Sequence, residues 1–282
     1  MATPAAEPQV YSWTPEVHRL AARIAVVLER CGLPCPHIDK LTNDVYGLDA
    51  AMRRFAANAW HWRHQDQPQS RTALQSHLVF TLLVPGGKAS KARVAVELLQ
   101  QNLLPWSPWR DAAGNSYGLT TEETDVIGLA LAGNARFPNQ KADRVIRALD
   151  RWDQLVSAVT TPDFNAATAT QRREIVMNNV KGYGEKAAAH FMRNTGLMSG
   201  WSALPIIDTH IHKALESLGF RHNGYAEAEP GFASLAHLTG VPPLLLDAVL
   251  WSAYAQNWNA STADFDNFGI LNTIREHELS EQ

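Results

Sequence analysis

Residues 170–213 read TQRREIVMNNVKGYGEKAAAHFMRNTGLMSGWSALPIIDTHIHK, and their reading decides the fold. At the centre is the turn Val180-Lys181-Gly182-Tyr183-Gly184, with a helical pattern on each side. The spacing predicts a half-buried helix over 170–180, its apolar Ile175, Val176 and Val180 inward and Arg172, Arg173 and Glu174 toward water. A second, alanine-rich helix is predicted over 185–195. Gly182 and Gly184 allow positive φ and a close backbone approach that a Cβ resists. The N–H groups opening the second helix, with its dipole, make such a turn an anion site, and Lys181 adds positive charge beside it. The same spacing also suits an ordinary corner capped by glycine. Asp208, 22 residues after Lys186, precedes a further helical run and suits an N-cap.

Outward from this stretch the chain reads as helices broken by Pro and Gly: 15–31, 48–62, 70–83, 88–101, 121–132, 139–159, 209–218, 231–238 and 243–257. Alternating strand patterns are scarce, so the expected class is all-α. No internal repeat or second independent domain is evident. The whole of 1–282 reads as one unit, with a subdomain boundary placed near 102–118, where Pro, Gly and aromatics concentrate.

The run VKGYGEKAAAHFMRNTG, with Ile207-Asp208-Thr209-His210-Ile211 after it, resembles the helix-hairpin-helix DNA glycosylases, and most closely the short archaeal and bacterial 8-oxoguanine DNA glycosylase/AP lyases. The match covers about 45 residues of 282, in which glycines, lysine, helix pattern and aspartate fall in order. The resemblance implies two helical subdomains with the active site in the cleft between them. It implies a catalytic Lys186 and Asp208, a hairpin segment 170–195 and a catalytic loop and helix at 205–218. Lys181, Gly182, Tyr183, Gly184 and His210 are the expected DNA contacts around them, and double-stranded DNA with a damaged or modified base is the expected partner.

The chemistry fits those residue types. A duplex base must leave the stack before its glycosidic bond can be reached. Breaking that bond builds positive charge at C1′, which a carboxylate stabilises. A neutral lysine amine can attack C1′ and form a Schiff base, which gives strand nicking by β-elimination. By resemblance the default base is 8-oxoguanine. The alternatives are a hypermodified phage base such as a modified cytosine, excised in anti-phage defence, and a DNA-binding protein that excises nothing. The same Asp208-Thr209-His210-Ile211-His212 also reads as the D-x-H-x-H metal motif of amidohydrolase barrels. Such a barrel needs about 250 residues, mostly after its first strand, and only 70 follow His212. No metal and no cofactor are therefore expected.

Other motifs are weaker. Pro85-Gly86-Gly87-Lys88 lacks phosphate-loop spacing; Lys88, with Lys91 and Arg93, suits a second contact to a DNA backbone. Gly133 to Lys141 links two helices, and in glycosylases of this type such a loop fills the gap left by the flipped base. Asn134, Arg136 and Phe137 offer an amide, a guanidinium and a wedge. Nine tryptophans supply candidates for a stacking floor, with Trp201, Trp251 and Trp258 best placed along the chain. Cys31 and Cys35 lie in CGLPC, without the C-x-x-C redox spacing, and two cysteines cannot hold a four-cysteine iron–sulfur cluster.

The formal net charge of −3 is unusual for a DNA binder, but its distribution is uneven. Residues 170–213 carry six Lys/Arg against three acids, and 214–282 carry two against nine. DNA is expected on the hairpin side. Neither a secretory signal nor a 20-residue apolar run is present, so a cytoplasmic, nucleoid-associated monomer is the expectation.

Overall fold

A computed structural model describes residues 15–33, 37–43, 45–46, 60–113, 116–198 and 203–254. Its elements are α1 (Pro15–Arg30), α2 (Trp60–Arg63), α3 (Pro68–Leu83), α4 (Ala89–Asn102), α5 (Thr121–Leu131), α6 (Pro138–Asp150), α7 (Trp152–Val159), α8 (Pro162–Ala166), α9 (Ala169–Asn179), α10 (Glu185–Asn194), α11 (Thr209–Ser217), α12 (Tyr225–Thr239) and α13 (Pro243–Tyr254). A short helical stretch also occupies 38–43. The expected all-α class holds. The segment 102–118 contains one small departure, the antiparallel pair β1 (Trp109–Arg110) and β2 (Ser116–Tyr117). No single described helix is long and apolar enough to cross a membrane.

The centre is α3. Every residue from Ala73 to Leu83 is buried, as expected of a helix surrounded by others. Two of its buried polar side chains are satisfied from neighbouring segments: Gln75 donates to Trp106 O at 2.8 Å and accepts from Trp106 N at 2.9 Å, and Gln100 donates to Ser76 at 3.0 Å. Around it pack α2, α4, α6 and α10, with α5 on α4 and α6, α7 on α6, and α8 and α9 on α7. The first helix closes on the last ones: α1 packs on α12 and α13, and α11 on both. The buried apolar side chains join in one continuous cluster.

Helix ends follow local chemistry. Thr120–Glu123 and Thr168–Gln171 form capping boxes at α5 and α9. Two boundaries differ from the periodicity. The run 139–159 is two helices, because Arg151 (φ −98°, ψ 13°) leaves the helical region and serves as an end to both. The last-but-one helix starts at Tyr225 and passes through Pro230; a proline reads as a helix start, but here the lost N–H costs only one bond near the first turn.

Candidate active site and hairpin

The hairpin joins α9 to α10. Gly182 has φ +98°, and a Cβ there would meet Arg144 Cδ of α6 at 2.8 Å. Two constraints, conformation and space, therefore require glycine. Gly184 differs from its expectation. It is extended (φ −102°, ψ −178°) as the N-cap of α10, and a Cβ there would meet nothing within 4 Å. Its value lies in offering no side-chain cap to the first N–H groups of α10, which leaves them for an anion. Lys181 is exposed beside them. Tyr183, expected among the DNA contacts, turns its side chain inward. Its ring is buried, with its hydroxyl on Thr81 Oγ1 and donating to Leu78 O at 3.1 Å. Tyr183 pins the hairpin to α3.

Two further turns lie against α6. Lys141 is buried and donates to Leu83 O and to Pro85 O, the latter at 2.9 Å. Burial, with Arg144 and Arg136 nearby, holds its ammonium below the usual lysine range. Lys91 donates to Gly133 O at 2.9 Å, so turns 84–88 and 132–137 are bound together. Lys88 and Arg136 are exposed on them. Phe137 is 60% exposed at φ +59°, the only non-glycine positive φ among the described residues. Arg136 lies over its ring at 5.0 Å. Asn134 is turned away, its amide donating to Ala130 O at 3.1 Å as a helix-end cap. Sequence reasoning missed Arg144 as the residue opposite Gly182.

Lys186 is half-buried in the first turn of α10. Its helix face continues through His190 and Arg193 at i+4 and i+7. Asp208 is half-buried at the head of α11, where Oδ1 accepts from His210 N at 2.9 Å and Ile211 N at 3.1 Å. Its other oxygen accepts from Trp251 Nε1 of α13 at 2.9 Å. The carboxylate is thus held at both oxygens. His210 stands edge-on to Trp251 at 6.1 Å and near Tyr254 at 6.5 Å. Asp247, buried one turn before Trp251, binds Arg193 Nη1 at 2.8 Å. Burial pushes its carboxyl up to about 7, against the pull of Arg193; the Asp208 charge raises it further and Lys186 lowers it. Both charges of the expected pair are therefore felt at one buried carboxyl. His212, held below the usual histidine range first by burial and then by His222, also senses both.

Asp247 and Arg193 were not legible as site residues. The available signal was the spacing 247, 251, 254, which puts an acid, an indole and a phenol on one face of an otherwise apolar helix. Trp201, Trp258 and Cys35 lie outside the described residues. Trp62 and Trp106 are core residues. No group of three or more His, Cys, Asp or Glu residues suited to a metal occurs among the described residues.

The fold and hairpin place the chain in the helix-hairpin-helix class. Its residues 57–229 match the sequence pattern of the family described as 8-oxoguanine DNA glycosylase, more than half of the chain, and the protein belongs to that family. Relatives named 8-oxoguanine DNA glycosylase/AP lyase include one from Picrophilus torridus, 33% identical over 123 residues, 41% of this chain and 54% of that protein. Another is from Metallosphaera sedula, 34% identical over 121 residues, 41% of this chain and 56% of that protein. A third, from Fusobacterium nucleatum, is 25% identical over 183 residues, 62% and 76% of the two chains. The chain spans about half the length of the first of these. The crystal structure of Methanocaldococcus jannaschii 8-oxoguanine DNA glycosylase shares the fold, with a TM-score of 0.53 at 16% identity over 86% of this chain and 96% of that one. Asp247 and Trp251 fall beyond the matched residues 57–229.

Proposed function

We propose that the protein is a DNA glycosylase that extrudes a base from duplex DNA and excises it, with 8-oxoguanine as the target, and that it cleaves the resulting abasic site through Lys186. The observation that carries the reading is Asp208, a carboxylate fixed at both oxygens by backbone N–H groups and the Trp251 indole. The relatives' names support the target base.

The amine of Lys186 attacks C1′ while the glycosidic bond breaks, and the base leaves with the bonding pair and a proton. Asp208 stabilises the positive charge that develops at the sugar. Opening of the C1′–O4′ bond, with a proton passing to O4′, converts this aminal into a Schiff base, and loss of a C2′ proton then expels the 3′ phosphate. The uncapped N–H groups of α10, with Lys181, hold a backbone phosphate, and Lys88, Arg136 and His210 add further backbone contacts. Phe137, displayed at the tip of its turn, enters the space the base has left.

The test is mass spectrometry of free bases released from duplexes with oxidised, alkylated, deaminated and phage-type modified bases, with borohydride trapping in parallel. We expect 8-oxoguanine from the wild type, a trapped covalent adduct, and neither from Lys186→Gln; Asp208→Asn should release no base. Release of a different base would replace the substrate. No release from any duplex, with hairpin-dependent binding intact, would make the protein a DNA-binding module and overturn the proposal.

A further inference from the structure

The segment 205–208, which delivers Asp208, is held at both ends. Tyr225 of α12 donates its hydroxyl to Pro205 O at 2.9 Å, and Trp251 donates to Asp208 itself. Asp247 lies one turn before Trp251 on the same face of α13, and the backbone N–H of Ile206 favours its charged form. Asp247 also forms the ion pair to Arg193, on the helix face that carries Lys186. A buried carboxylate is costly unless paired, and here Arg193 supplies the counter-charge.

We propose that Asp247 is a positioning residue: with Arg193 as counter-charge, it ties α13, whose Trp251 holds Asp208, to the helix bearing Lys186 and so fixes the separation of the two. This rests on the reading of Lys186 and Asp208 as the reacting pair. The family-matched stretch ends at 229, so the device belongs to a part of the chain that the match does not describe. The groups facing Asp247 account for its charge state. Arg193 and Lys186, with His190 beside them, come from α10, Asp208 from the head of α11, and Tyr225 from α12. The first helix, α1, turns only apolar residues inward, with its charged residues exposed. Protonation of Asp247 releases one arm of the clamp, and the place of Asp208 becomes sensitive to pH near neutrality.

The experiment uses the full chain, labelled with ¹⁵N at the tryptophan indoles. The Trp251 Nε1–H resonance, assigned by its absence in Trp251→Phe, is followed from about pH 5 to about pH 9, across the Asp247 ionisation near 7. Single-turnover excision is measured over the same range. We expect the wild-type resonance to titrate with Asp247 and this step to vanish in Asp247→Asn, which keeps the volume. The maximal single-turnover rate should fall roughly tenfold to a hundredfold, with half-saturating DNA concentration unchanged. Arg193→Lys should retain the step, and Arg193→Met should move it to higher pH. These two arms keep the test decisive if Asp247→Asn fails to fold. An indole signal whose pH dependence is the same in Asp247→Asn, or unmoved in Arg193→Met, overturns the proposal. If the wild type excises nothing, the base-excision reading fails while the indole titration still decides the clamp.

Discussion

Replacing Trp251 by Phe removes one hydrogen bond from Asp208 and little else. The bond is 2.9 Å long and ends on a carboxylate oxygen, and such bonds to charged groups contribute about 1.5–3 kcal/mol. Two features place this one at the lower end. Oδ1 of Asp208 keeps both backbone donors, and Trp251 is 39% exposed, so water takes over part of the lost bond. A phenyl ring also retains the edge contact with His210. We therefore expect the variant to lose about 1–1.5 kcal/mol of transition-state stabilisation, which is roughly a fivefold to fifteenfold drop in single-turnover rate. Its thermal midpoint should stay close to that of the wild type. The assay is base release from an 8-oxoguanine duplex with enzyme in excess, beside a thermal melt. A rate within twofold of wild type at an unchanged midpoint would refute the assignment of Trp251 as the partner that fixes Asp208. A loss beyond a thousandfold would mean that the indole contacts the extruded base directly.

Other consequences follow from the same geometry. Gly182→Ala forces a Cβ onto Arg144 at an unfavourable φ; it should cost about 1–2 kcal/mol of stability and weaken binding to undamaged duplex, both read by denaturation and by a binding titration. Arg173→Met leaves Glu229 without the paired contacts at 2.6 and 3.1 Å, and urea unfolding should show a loss of about 3–5 kcal/mol. Phe137→Ala should slow excision from duplex more than from single-stranded substrate, whereas Phe137→Gly should melt no lower than Phe137→Ala, since it removes the cost of φ +59°. Burial raises the Asp247 carboxyl from 3.8 to about 7, so the native state keeps a proton that the unfolded chain releases. That contribution to stability is complete below the unfolded value and is lost as pH rises through about 7. Unfolding free energies at about pH 5 and about pH 8 should differ less in Asp247→Asn than in the wild type, and equal differences would contradict the assignment.

Most helices were legible because their apolar spacing and end residues are local signals. The ranges 15–31, 70–83, 88–101 and 121–132 lie within a residue or two of the observed helices. Asp208 was legible as an N-cap because an aspartate followed by Thr209 and an apolar-periodic run carries that meaning by itself. The break at Arg151 was not, because the pattern runs unbroken on both sides and only the backbone shows the interruption. Tyr183 misled for a related reason. Its neighbours Gly182 and Gly184 mark an exposed turn, and nothing local says that its ring has a buried partner 102 residues away at Thr81.

The sequence by itself determined the helical class, the hairpin with its glycine turn, and the order of lysine and aspartate, since each is written in neighbouring residues. Tertiary structure alone decided what surrounds that pair. Trp251 lies 43 residues from Asp208, and Asp247 lies 54 from Arg193. Hydrogen bonds and ion pairs of a few ångströms have no signature along a chain until packing brings their helices together. The hydrophobic contacts that seat α13 on α1, α11 and α12 are non-directional, and they carry Asp247 and Trp251 within reach of Arg193 and Asp208.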